Sequence, residues 1–146
     1  MDASEFEDCL GKAEETPEVA RLLAALGITK KLKLSSEGNV RLMLPERGLL
    51  LSFKPEDASS SRIKFTGVQF YSDAEEGFTT FPGALPRGLA FSDDPKAARA
   101  KLGKPTKIMK DFRLDHWITG ERQLTVRYRK SMDGIAYVLS GFTPKN

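Results

Sequence analysis

Few side chains in this sequence could do covalent or acid–base chemistry: one cysteine, Cys9, one histidine, His116, and scattered carboxylates. A nucleophilic Cys–His pair needs thiol and imidazole within hydrogen-bond reach, and here the two stand near opposite ends of the chain. Cys9 also falls at helical spacing with Phe6 and Leu10, the pattern of a buried, inert thiol. One histidine cannot build a multi-histidine zinc site. The neighbours Asp115 and His116 read as a hydrogen-bonded pair at a strand end rather than an acid/base dyad. Glu56-Asp57 and Glu75-Glu76 lie in loop-like stretches, where solvated carboxylates keep ordinary acidity. Gly83 and Gly88 have phosphate-loop spacing, but no Lys-Ser/Thr follows them, which removes that reading. The expectation is a protein that is not an enzyme, with no catalytic residue, no metal and no cofactor.

The elements that would position any site come from patterning. With 146 residues, 40% hydrophobic and 29% charged, the chain suits a single domain over 1–146. Ser4 to Lys12 reads as a short amphipathic helix. Thr16 as cap, Pro17 in the first turn, the stripe Val19, Leu22, Leu23, Leu26 and the stop at Gly27 predict a second. The period then changes to two: Ile28, Leu32 and Leu34; Val40, Leu42 and Leu44; Leu49, Leu51 and Phe53; and Ile63, Phe65, Val68 and Phe70, with a bulge at Gly67 where the parity shifts. Asp57 to Ser61 is a polar loop. Residues 72–93 hold several glycines and prolines yet keep Phe78, Phe81, Leu85, Leu89 and Phe91, which predicts an ordered crossover packed on the core. Pro95 opens another helix that ends at Leu102-Gly103, and strands return at 107–112, 116–118, 123–129 and 135–139, the last after an Asp133-Gly134 turn.

These elements predict an α+β fold, an antiparallel sheet or sheets with short helices on one side. Both halves read cap, proline, helix, Leu-Gly, then strands. This suggests two pseudo-repeated helix-plus-meander units, about 16–71 and 94–142, whose sheets join or pack face to face.

The stretch from Phe81-Pro82-Gly83 to Ser92-Asp93, then Leu102-Gly103-Lys104-Pro105, Trp117 and Leu124-Thr125-Val126-Arg127-Tyr128, resembles small bacterial immunity proteins encoded beside polymorphic or type VI secretion toxins. The same progression is similar to the helix-plus-sheet unit of β-lactamase inhibitor proteins and of small outer-membrane assembly lipoproteins. The lipoprotein branch would need a lipidation cysteine behind an apolar leader, and Cys9 has no such run before it. The resemblance implies an immunity protein, an antitoxin that binds and occludes a cognate secreted toxin, a nuclease being one candidate. It carries no catalytic residue.

Charge and targeting signals frame the partner. The acidic N-terminus lacks a secretory leader, the longest apolar run, Leu22–Leu26, is far short of a span of about 20 residues, and a lone thiol fits a reducing compartment. The expectation is a cytoplasmic protein with no membrane contact. Residues 1–76 carry 10 Lys/Arg against 14 Asp/Glu, whereas 77–146 carry 13 against 6. A nuclease would present a basic cleft, for which Glu14, Glu15 and Glu18 with Asp73, Glu75 and Glu76 form an acidic plug; Phe78 and Phe81 beside that loop are candidate apolar anchors, or else core. An acidic toxin would instead be met by the basic second half. That half also supports an alternative, a nucleic-acid-binding accessory protein using Lys96 to Lys110 with Arg127, Arg129 and Lys130, against which stand the flanking acids and a modest net charge of +3.

Overall fold

The computed structural model describes residues 1–33, 38–57, 62–74 and 77–143. In chain order the elements are α1 (Ala3–Glu7), α2 (Pro17–Ala25), β1 (Val40–Leu44), β2 (Leu49–Pro55), β3 (Ile63–Tyr71), α3 (Pro95–Leu102), β4 (Lys107–Met109), β5 (Leu114–Thr119), β6 (Arg122–Tyr128) and β7 (Ile135–Phe142). The strands form one antiparallel sheet in the order β1-β2-β3-β7-β6-β5-β4. The α+β architecture expected from the patterning is present. The two groups of strands join edge to edge through β3 and β7 rather than stacking. Three described strands follow α2 and four follow α3, so the halves do not match strand for strand. They do share a hairpin device. A 3-10 turn closed by a left-handed residue links β1 to β2 (Pro45–Arg47, then Gly48) and β4 to β5 (Lys110–Phe112, then Arg113).

Local chemistry sets the ends of these elements. The first helix begins earlier than the sequence suggests. Asp2 caps it, its backbone N–H donating to the Glu5 carboxylate at 2.7 Å, and the helix covers only Ala3–Glu7 against the expected 4–12 span. Thr16 precedes α2 with Pro17 in its first turn, as predicted. Asp94 caps α3 by accepting from the Ala97 N–H at 2.8 Å. The strand expected around Ile28 and Leu32 does not form, and Leu34 lies outside the described residues. The segment after α1 does strand-like work instead: Gly11 N–H donates to the Phe65 carbonyl and Glu14 N–H to the Ile63 carbonyl. The chain thereby satisfies the end of β3 that β7 does not reach.

Strand alternation sorts the side chains onto two faces. Leu49, Leu51, Phe53, Phe65, Val68, Phe70, Val126, Tyr128 and Val138 point to one side and form a core with Phe6, Val19, Leu22, Leu23 and Leu26 from the helices. The described residues of the crossover 72–93 carry no strand, but its Phe81, Leu85 and Leu89 join that core.

A buried ionic tether fixes α3. Asp115, 1% exposed, accepts both Nε and Nη2 of Arg99 at 2.9 Å and the Tyr128 hydroxyl at 2.8 Å. Burial, then the hydrogen bond to Asp115, pushes the Tyr128 hydroxyl far above its usual range, so it stays a donor. Lys101 reaches Asp93 at 2.8 Å, and Trp117 Nε1 donates to the Gly103 carbonyl at 3.0 Å. Removing Arg99 leaves a buried carboxylate without its countercharge, so Arg99→Met should lower unfolding free energy by about 3 kcal/mol. The double variant Arg99→Met, Asp115→Asn should recover part of that loss; denaturant unfolding of the cycle measures both.

Candidate functional site

The helices cover only the core side of the sheet. On the opposite side, in-register neighbours run across the strands as rows: Met43, Leu50, Gln69, Leu139, Thr125, His116 and Lys107 in one, Tyr71, Tyr137, Arg127, Leu114 and Met109 in another. Among the described residues, the strand positions on this open face include Arg41, Lys54, Lys64, Lys107 and Arg127 but no Asp or Glu. The one acid on β5, Asp115, points away from this face toward α3.

An aromatic ladder stands at one end of the open face. Phe78 stacks on Tyr71 with centroids 3.9 Å apart and planes at 18°; Tyr71 meets Tyr137 at 5.5 Å; and the Arg127 guanidinium lies 6.0 Å from the Tyr137 ring centre. Arg127 Nε is buried, with no hydrogen-bond partner among the described residues. Rigid aromatics beside an arginine are the groups that most often anchor protein interfaces.

His116 belongs to the same face and to a closed network. Its Nδ1 lies 2.7 Å from the Thr125 hydroxyl and 2.9 Å from the Gln123 amide nitrogen, which also donates to that hydroxyl, while Nε2 points to Met109 Sδ at 3.4 Å. It does not bond Asp115, as the sequence reading had it: adjacent strand residues face opposite sides. Cys9 lies in the helix-side core, so the sheet separates thiol from imidazole. Burial raises the Cys9 thiol pKa, which keeps it protonated. Among the described residues no group of three His, Cys, Asp or Glu could hold a metal ion, and no helix is long and apolar enough to cross a membrane.

The described members of the acidic plug read from the sequence, Glu14, Glu15, Glu18 and Asp73, do not stand together. Glu14 accepts the Leu32 N–H at 2.7 Å, Glu15 pairs with Arg62, and Glu18 lies 3.8 Å from Lys12. The hydrogen bond from Arg62 holds the Glu15 carboxyl below its usual range. These residues sit beside Ile63, at the start of β3, whereas Asp73 follows its far end and pairs with Arg129 at 3.2 Å. A nine-residue strand puts the two groups roughly 25 Å apart. Glu75 and Glu76 lie outside the described residues. Phe81 is core, 4.8 Å from Phe70 and 6.1 Å from Phe6 by ring centroids, so it offers no anchor. Phe78 is half-buried on the opposite, open side.

Sequence reading named Lys107 and Arg127 as part of a basic second half but missed Tyr71, Tyr137, Arg41, Lys54 and Lys64, because only strand pairing places them on one face with those two. The period-two pattern did mark them as facing away from the core. No family model matches the chain, and no curated protein or solved structure matches it.

The site predicts a pH signature. Burial first, then Lys107, pulls the His116 pKa below its ordinary 6.5. The unfolded chain therefore binds the proton more readily, and this contribution to stability is present above pH 6.5 and lost as pH falls through the folded-state value. The stability gap between the parent and His116→Gln should shrink between about pH 7 and about pH 5. A gap constant across that range, by denaturant unfolding, would show an imidazole that is not held neutral.

Proposed function

We propose that the chain is a non-catalytic binding protein that uses the uncovered face of its sheet to mask a protein partner. More particularly, it is an immunity protein that neutralises a cognate secreted bacterial toxin by occlusion. The observation that carries this reading is the open face itself, where a pre-stacked Phe78–Tyr71–Tyr137–Arg127 ladder stands among cations with no strand acid among the described residues. Such a face combines anchors already ordered before binding, which lowers the entropic cost of association, with a charge that steers an oppositely charged partner. The dispersal of Glu14, Glu15 and Glu18 from Asp73 removes support for plugging a basic nuclease cleft, and the open face fits an acidic toxin surface. The resemblance of residues 81–93, 102–105 and 124–128 to immunity proteins points the same way.

The basic face also raises nucleic acid as a ligand. Single strands bind by stacking bases on free ring faces, and here Phe78 already covers Tyr71. That geometry favours a protein partner.

The test is binding to the protein encoded immediately upstream, measured in parallel with a random oligonucleotide. Tyr137→Ala combined with Arg127→Glu should weaken toxin binding by about 2 kcal/mol or more while the fold persists. Reversing Glu14, Glu15 and Glu18 to lysine should leave the affinity nearly unchanged. Intact toxin binding in the ladder variant, or tight oligonucleotide binding by the parent, would overturn the reading.

A further inference from the structure

Beyond the ladder, the open face has a trough at its other end. Ser52, Gly67, Gly141 and Gln123 are successive in-register partners across four strands. The two central positions carry no side chain, and a groove of about 730 Å³ lies over them. The two glycines have different reasons to be there. A Cβ on Gly141 would stand 2.8 Å from the Thr66 carbonyl oxygen, so the bulge at Thr66 demands glycine. A Cβ on Gly67 would meet nothing closer than 3.8 Å, and its φ is not in the left-handed region. The backbone at Gly67 therefore has room for a Cβ. Glycine inside a strand weakens the sheet and commonly marks close approach by a ligand or another backbone.

A second cost lies at the mouth of the trough. Lys54 and Lys64 are directly opposed on β2 and β3, an arrangement in which like charges repel. Among the described residues neither makes an ion pair; Lys64 only rests near the Phe142 ring at 5.9 Å. Of the two acids lining the groove, Glu56 is 3.8 Å from Arg62, and Glu121 lies in the turn before β6, its carbonyl accepting the Thr143 N–H. Thr143 also lines the groove, and its buried hydroxyl has no hydrogen-bond partner among the described residues. A vacant floor, two opposed cations and an unused hydroxyl form a consistent set.

We infer that this trough receives a carboxylate-bearing segment of the partner protein, its acid side chain held between Lys54 and Lys64 while its backbone lies on Gly67. The inference rests on the proposed masking function and adds where the partner's acid is gripped. Arg41, farther along the row as the partner of Ser52, adds to the attraction.

The probe is a blocked tetraglutamate peptide titrated into the isotope-labelled protein, with backbone amide shifts as the readout and an oligouridylate of equal charge in a parallel arm. Saturable shifts should centre on Gly67, Gly141 and Gln123. Gly67→Leu, which fills the trough, should weaken peptide binding by about tenfold or more without lowering Tm. Should that variant lose stability, Lys54→Glu, at an exposed position, must produce the same weakening. Absence of saturable shifts, shifts that persist unchanged in the filled or charge-reversed variants, or tighter binding of the oligouridylate would each overturn the proposal. The peptide experiment does not involve the toxin. Its failure leaves ladder-mediated toxin binding standing, whereas loss of the upstream protein as a partner, with the titration intact, removes the toxin assignment and retains the anion-binding trough.

Discussion

A seven-stranded sheet has two faces, and the three helices among the described residues have 5, 9 and 8 residues. At about 1.5 Å per helical residue and about 4.8 Å between strands, a sheet of this width exceeds the reach of any one of these helices by more than twofold. The helices and the crossover can therefore bury only one face. Much of the rest follows from this shortage of cover. The covered side collects the large aliphatic and aromatic groups, and the other must limit its exposed apolar surface by packing among its own side chains. Leu50 and Tyr71 are only 5% and 8% exposed although no helix lies over them.

The same division decides the chemistry. Because successive strand residues point to opposite sides, Asp115 goes to the helix side, where Arg99 and Tyr128 neutralise and bind it, while His116 goes to the open side among Thr125, Gln123 and Met109. A pair that is adjacent in sequence is thus split by the thickness of the sheet. The sorting also leaves the strand cations of the open face without acids among the described strand positions, which gives that face its electrostatic character.

The crossover connects the two sides. Phe81 N–H donates to the Tyr71 carbonyl at 2.9 Å and Thr79 N–H to the Pro45 carbonyl at 2.9 Å. These bonds hold the chain over the end of the sheet, so that Phe78 stacks on the open side while Phe81 enters the core. Gly48 is required for this passage: a Cβ there would collide with the Thr79 carbonyl and the Phe81 backbone. The ladder is therefore ordered by the same segment that completes the hydrophobic core.

Residue periodicity and punctuation determined much of the fold. Thr16-Pro17 and Asp94-Pro95 located two helices, and alternation located β1, β2, β3, β6 and β7 and placed Leu51, Phe53, Val126 and Tyr128 inward, because local propensity and amphipathic period act over a few residues. The scarcity of reactive side chains was likewise readable from composition. Tertiary structure alone decided the site. Which acids stand together depends on the length of β3, so Asp73 parts from Glu14, Glu15 and Glu18; whether Phe78 or Phe81 is buried depends on where the crossover turns; and the opposition of Lys54 to Lys64 and of Gly67 to Gly141 depends on strand order and register. Those are contacts between residues distant in the chain, and a local sequence pattern fixes which face a side chain takes but not the neighbour it meets there.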